Sequence, residues 1–288
     1  MPGFENLYRK MERSISIGGK SESTLINYGR CLSTMALHFG VSPLDLDEEQ
    51  VLDYLHHLKS QKRTPSSSYF KHTLYGLRFA YKVTGKSGLL PKLPPLKAPS
   101  KLPVILSEEE VKRLISVPPL IKHRMALSLL YGCGLRRSEL LDAKIEDADL
   151  ERKMLHIRQG KGNKDRYVPL GDNLVYALKQ YLLAEQPHIY LFNGHGKEGM
   201  RARFSETGVQ WIIKAAAKKA DIRKRVTSHV LRHSYATHLL EMGLDIMSLK
   251  ELLGHTDIKT TLIYLHVSNL GSQKAFSPMD RIFKIKKS

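Results

Sequence analysis

Four short segments of this 288-residue chain place cations or histidines where apolar packing is the norm. In 131–140 (YGCGLRRSEL) an apolar run ends at glycines, Arg136 follows at once, and Glu139 stands three residues on. In the second, His229, Arg232 and His233 open a stretch that is otherwise mostly apolar through Leu240. The third ends a leucine-rich helix at Gly254 and His255, and the fourth carries Tyr264. A buried guanidinium is costly unless it meets an anion in good geometry. Arg136 and Arg232 come from separate elements, which suits bidentate recognition of a phosphodiester. A plain salt bridge, with Glu139 serving Arg136, is the competing reading of the first segment. His229 and Arg232, three apart, share a helix face.

Tyr264 is placed by its angle. On a helix drawn over 257–267, Ile258, Leu262 and Leu265 form the core stripe, and Tyr264 lies roughly 120° from its centre. It is expected to point away from the core, as surface packing or, beside an arginine-rich site, as a nucleophile.

The elements that must position these residues fall on either side of a proline-rich stretch at 87–106, which holds five of the chain's 13 prolines. Proline fixes φ and removes a backbone donor, so the stretch reads as a semi-rigid linker. Before it, Leu25, Tyr28, Leu32, Met35 and Phe39 mark one amphipathic helix, and Val51, Leu52, Leu55 and Leu58 a second. In a third, over 67–83, Leu74, Leu77 and Tyr81 make the apolar stripe, with Lys71, Arg78 and Lys82 together on another face. That face is either solvated or set against phosphates, and no acidic residue interrupts it. Past the linker, Ser107 and Glu110 form a capping box. Helices are predicted at 108–116, 120–132, 173–184, 205–220, 229–242, 245–253 and 257–267. Strands are predicted at 154–159 and 166–170, joined by a hairpin turn carrying Gly160, Gly162 and Asn163.

Composition narrows the partners. Lys and Arg number 46 against 28 Asp and Glu, a net charge of +18. The excess is +7 over residues 1–106 (15 against 8) and +11 over 107–288 (31 against 20), so both halves are basic. Nucleic acid is the commonest polyanion for such a protein. A hydrophobic fraction of 42% excludes disorder, and no apolar run approaches the roughly 20 residues of a membrane span. Residues 1–14 have no apolar leader core, and the two cysteines, Cys31 and Cys133, stand far apart. A cytoplasmic protein is expected.

Taken together, GLRRSEL, GKGNKDRYVPL, HVLRHSYATHLL, ELLGH and the tyrosine nine residues beyond that histidine resemble the tyrosine recombinase, or phage integrase, family. They are most similar to Xer-type recombinases and simple mobile-element integrases, and the likeness covers essentially the whole chain. It implies a mainly α protein with a small antiparallel sheet. A helical, SAM-like core-binding domain (1–86) and the linker (87–106) would precede a mixed α/β catalytic domain (107–270). A basic tail (271–288) would pack on a neighbouring protomer. It further implies that Arg136 and Arg232 hold the scissile phosphate, and that Lys161 protonates the leaving 5′ oxygen. His229 would manage the nucleophile's proton, His255 would hydrogen-bond, and Tyr264 would form a 3′-phosphotyrosyl link. Glu139 would support the arginines from behind. The implied partner is double-stranded DNA at a specific site, bound by a homo- or hetero-tetramer on paired sites in the nucleoid, with no cofactor or metal. A type IB-like topoisomerase and a non-catalytic DNA-binding module are the alternatives.

Two other patterns are set aside. Gly194, Gly196 and Gly199 match a dinucleotide fingerprint, but no parallel strand follows the 205–220 helix. His229, His233 and His238 cannot converge from one helix, because His238 lies about 180° from His229. Cys133 is read as a buried small residue beside the glycines.

Overall fold

A computed structural model describes residues 2–19, 21–60, 67–89, 102–158, 165–194, 202–265 and 268. The chain divides into two compact units, 1–99 and 100–288.

The first unit is helical: α1 (Pro2–Ile17), α2 (Glu22–Phe39), α3 (Glu48–Ser60) and α4 (Ser67–Val83). Its core is built from Met11, Leu32, Met35, Val51, Leu74 and Leu77. The stripes expected on α2, α3 and α4 are those that turn inward, except that Leu52 is exposed. Helix α1 was not assigned above; it buries Leu7, Met11 and Ile15, at i, i+4 and i+8. On α4, Arg78 and Lys82 are exposed and Lys71 is half-buried.

The second unit begins before its first helix. Leu106 is buried in its core, and its backbone N–H donates to Ser234 Oγ at 2.9 Å. Helix α5 (Glu108–Ser116) opens on the expected capping box, with Glu110 N–H donating to Ser107 Oγ and Ser107 N–H to the Glu110 carboxylate. Helix α6 (Ile121–Gly132) is the central element, burying Met125, Ala126, Leu127, Leu129 and Leu130. A short helix α7 (Arg137–Asp142) follows, then a three-stranded antiparallel sheet of β1 (Ala148–Asp149), β2 (Met154–Ile157) and β3 (Arg166–Pro169), in that order. Leu155 pairs with Val168 and Ile157 with Arg166. Among the described residues five further helices follow: α8 (Asp172–Glu185), α9 (Glu206–Lys219), α10 (Ser228–Glu241), α11 (Ile246–Leu253) and α12 (Lys259–Leu262).

Three sequence expectations are corrected here. Helix α7 and strand β1 are additional; each is too short to show a periodicity. Strand β2 ends at Ile157 and β3 at Pro169, inside the predicted ranges. The helix predicted over 257–267 is regular only over Lys259–Leu262. The hairpin turn with Lys161, the linker prolines up to Pro99, the tail 271–288, and Gly196 and Gly199 lie outside the described residues. No helix among the described residues is long and apolar enough to cross a membrane.

Because Leu127 is fully buried at the centre of the second core, Leu127→Ala is expected to lower stability by roughly 2–5 kcal/mol. Urea unfolding followed by circular dichroism measures this; a loss below 1 kcal/mol would show a site able to collapse around the smaller side chain.

Candidate active site

The site is organised by backbone turns that deliver arginines to one point. Helix α6 ends at the glycines, and Gly134 takes a left-handed conformation (φ +58°). A Cβ there would lie 2.3 Å from the Tyr235 ring, so no other residue fits the turn. Its carbonyl accepts from Arg232 at 2.6 Å. Two residues later Arg136 opens α7, and Glu139, in the first turn, accepts the Arg136 backbone N–H at 2.7 Å. An acid in the first helical turn suits the helix dipole, and this one reaches further.

Glu139 is met by three guanidiniums. Arg136 donates to one oxygen at 2.7 Å, Arg166 binds both oxygens at 2.8 Å each, and Arg232 lies 3.7 Å away. The end of α11 receives the same three arginines. Leu252 O accepts from Arg166 at 2.9 Å, Leu253 O from Arg232, and Gly254 O from Arg136 at 3.4 Å. The last carbonyls of a helix lack intrahelical partners and carry partial negative charge, so they suit cations. Gly254 closes the helix in the left-handed region (φ +61°), and a Cβ there would press to 3.0 Å on Arg166 Cδ.

Burial would raise the Glu139 carboxyl, but Arg166 and Arg136 reverse this and hold it at about 2. Burial lowers Arg232 to about 10, with Arg136 adding to the shift and Glu139 opposing it. Exposure ranks the side chains: Arg232 is 5% exposed, Arg166 9% and Arg136 18%. Arg166 is taken up by both Glu139 oxygens and Leu252 O, whereas Arg136 and Arg232 line the cavity and Arg136 is the most exposed of the three.

Tyr264 is not where the helical wheel put it. It is 2% exposed and packs with Tyr235, Ala236, Leu240, Leu249 and Leu253, while Leu262 and Leu265 are exposed. The wheel assumed 100° per residue through 267, but the helix loosens after Leu262, and the pair turned inward is Thr261 and Tyr264. The Tyr264 hydroxyl lies 3.0 Å from His233 Nδ1. The His255 ring lies nearly parallel to the tyrosine ring, with centroids 6.5 Å apart. His255 Nδ1 is 2.9 Å from Thr261 Oγ1, and its Nε2 is 3.3 Å from the Arg232 fork. Burial raises the Tyr264 phenol, against the lowering pull of Arg232 and Arg136. His233 is lowered by burial, then by His229 and Arg232. His229 is lowered by its enclosure, then by Arg232, Arg137 and Arg136, although its residue surface is largely exposed.

Arg136, His229, Arg232, His233, His255 and Tyr264 line one cavity of about 330 Å³. A second cavity, of about 740 Å³, shares Arg136 and His229 and is walled by Arg137, Lys214, Lys218, Lys224 and Arg225. Five of the residues predicted from sequence thus converge, with Glu139 behind them. Lys161 lies outside the described residues, and Lys71, Arg78 and Lys82 belong to the other unit. Residue order marks Arg166 only as a strand residue, and it places His233 in the second segment without giving it a role. The signal for Arg166 was its strand register, which puts it on the same face as Val168. For His233 the signal was its position one residue beyond Arg232 on the same helix. Among the described residues no cluster of His, Cys, Asp and Glu could hold a metal ion. His238 instead bonds the Tyr131 hydroxyl through Nδ1 at 2.8 Å, and Cys133 is fully buried.

Comparison with known proteins follows the same outline. Residues 105–270 match the phage integrase family. Tyrosine recombinase XerA of Pyrococcus horikoshii is 36% identical over 255 residues, 88% of this chain and 86% of that protein. Tyrosine recombinase XerD of Halalkalibacterium halodurans is 33% identical over 284 residues, covering 91% of each. A crystal structure of XerA recombinase aligns over 99% of this chain and 100% of its own, with a TM-score of 0.55 and 29% identity. The fold is also that of XerH bound to its difH substrate (TM-score 0.64, 22% identity, 88% of this chain and 77% of that one).

Glu139→Gln leaves three guanidiniums without their shared anion and is expected to cost about 3–5 kcal/mol of stability at pH 7. The Glu139 carboxyl is depressed from 4.5 to about 2 in the folded protein. Its stabilisation is therefore full above the unfolded value and is lost as pH falls from 4.5 towards 2. Urea midpoints of wild type should fall more steeply over that range than those of the variant; parallel curves would contradict the assignment.

Proposed function

The chain belongs to the phage integrase family of tyrosine recombinases, and from that premise we propose that it cleaves and rejoins DNA at a specific site through a 3′-phosphotyrosyl intermediate on Tyr264. The observation that carries this reading is the convergence of Arg136, Arg232 and Tyr264 on one cavity. Two guanidiniums anchored from behind offer donors to the non-bridging oxygens of a phosphodiester. Charge builds on those oxygens in the transition state, where preorganised cations act most strongly. Tyr264 attacks phosphorus, Lys161 protonates the departing 5′ oxygen, and the covalent link keeps the bond's free energy for resealing. No step of this scheme calls for ATP or a metal ion. His255 and His229 flank the phosphate, with His229 on the nucleophile's proton path. The second cavity, with Arg137, Lys214, Lys218, Lys224 and Arg225, takes the neighbouring phosphates of the strand.

Lys71, Arg78 and Lys82 bind phosphates from the first unit, so two basic units grip one duplex. The working assembly is a tetramer on paired sites, homomeric or shared with a second recombinase. Its place is the cytoplasm, on the nucleoid. The topoisomerase and binding-module alternatives fare worse, since the matched relatives are named as recombinases.

The test starts from genomic DNA of the source organism, incubated with protein and extracted for covalent adducts whose attached DNA is sequenced. A nicked duplex carrying the recovered sequence should trap a protein–DNA adduct with wild type and none with Tyr264→Phe. Relaxation without strand exchange would favour the topoisomerase, and no adduct on any DNA would favour the binding module. The triple change Lys71→Ala, Arg78→Ala, Lys82→Ala is expected to weaken binding across all sequences. It should also flatten the slope of log K against log salt by about 2 to 3. An unchanged slope would remove these residues from the interface.

A further inference from the structure

We propose that His233 is the first acceptor of the Tyr264 hydroxyl proton during strand cleavage. The proposal rests on the reading of Tyr264 as nucleophile and deepens it by separating this step from the role of His229. A phenol attacks phosphorus well only as it loses its proton, and Tyr264 is buried, so a base in bulk water does not reach it.

The groups around the hydroxyl can be sorted by what they are able to accept. Arg136 and Arg232 carry donors only; they favour the phenolate but take no proton. Lys259, which also lines the cavity, is cationic. At His255 the fork of Arg232 approaches Nε2 at 3.3 Å, and because arginine only donates, Nε2 is the acceptor of that pair. Nδ1 of the neutral ring then carries the hydrogen and donates to Thr261 Oγ1 at 2.9 Å. Both ring nitrogens of His255 are thus engaged by Arg232 and Thr261, and its ring lies nearly parallel to that of the tyrosine with centroids 6.5 Å apart. His229 stands one helical turn before His233, exposed and shared by both cavities, a position that suits the phosphate and solvent rather than the buried hydroxyl.

His233 Nδ1 is 3.0 Å from the hydroxyl oxygen, within direct transfer distance. Burial, His229 and Arg232 all hold the His233 ring below its ordinary range, so at neutral pH it is uncharged and has a lone pair to offer. The step balances as follows in atoms and charge. The Tyr264 O–H bond breaks and its proton moves to His233 Nδ1, the O–P bond forms, the P–O5′ bond breaks, and Lys161 supplies the proton to O5′. Rejoining runs in reverse, with His233 returning its proton to the leaving phenol. The charge that His233 gains appears as negative charge builds on the phosphate.

Two measurements test this. The first needs no DNA and no variant: ¹⁵N NMR of the full chain at pH 7.5 should give His233 Nδ1 the signal of an unprotonated acceptor. A protonated Nδ1, donating to the phenol oxygen, would overturn the proposal. The second uses the nicked duplex recovered by adduct capture. His233→Asn keeps a polar group near the Nδ1 position but takes no proton, and adduct formation at pH 7 is expected to slow by about 10²–10⁴-fold. Raising the pH, or replacing Tyr264 by a fluorinated tyrosine of lower phenol pKa, should restore most of the rate. A wild-type rate in His233→Asn, or a loss that neither change restores, means that His233 only packs against the tyrosine. His233→Gln with a wild-type melting temperature serves if the Asn variant does not fold. Adduct formation surviving in Tyr264→Phe sinks the nucleophile itself, an outcome separate from any result at His233.

Discussion

Three guanidiniums gathered around one carboxylate set the terms for everything else in the second unit. Two like charges about 4 Å apart at an effective dielectric of about 20 repel by roughly 4 kcal/mol, so such a cluster disperses unless something holds it. Glu139 supplies one full negative charge, and the carbonyls of Leu252, Leu253 and Gly254 supply partial ones. The unit charges sum to an excess of two positives facing a cavity, ahead of any substrate. A buried ionic cluster of this kind contributes little net stability compared with apolar packing. Its value is a fixed array of cations that needs no rearrangement when an anion arrives.

The fold can be understood as a set of answers to that requirement. Helix α11 must stop in a left-handed turn so that consecutive carbonyls open towards the arginines, and the capping residue, Gly254, must lack a side chain because Arg166 lies against it. The turn that follows α6 likewise needs Gly134, where the ring of Tyr235 leaves no room for a Cβ. The sheet matters chiefly through β3, which brings Arg166 to Glu139. Glu139 thereby connects four elements, and disturbance in any one is felt by the arginines of the others.

Tyr264 belongs to the opposite regime. It sits among apolar side chains, where burial raises its phenol and bulk water is excluded. In the proposed reaction, a hydroxyl kept in this way stays protonated until a local acceptor and an electrophile are both in place, which guards against adventitious reaction. The charge of +18 enters at longer range. In the proposed reaction it supplies, spread over both units, the salt-dependent attraction that brings a duplex to the site, while Arg136 and Arg232 act on one phosphate.

Much of this was legible in residue order. The glycine-terminated runs before Arg136 and His255, the capping box at Ser107, the paired strands and the apolar stripes of α2 to α4 are local patterns. They depend on near neighbours in the chain, and the folded protein retains them. Arg136 and Arg232 stand out because cations interrupt apolar runs, and Tyr264 through the resemblance that the neighbouring motifs carry. What residue order did not reveal was direction and partnership. The wheel sent Tyr264 outwards because it carried a regular helix past the point where α12 loosens, whereas in the fold Tyr264 packs against side chains of α10 and α11. Arg166 looked like a strand residue until β3 lay beside α7 and α11 and delivered it to Glu139. Which histidine meets the tyrosine was settled in the same way. Spacing fixes relative angle only within one element, whereas a hydrogen bond between elements depends on how their surfaces pack.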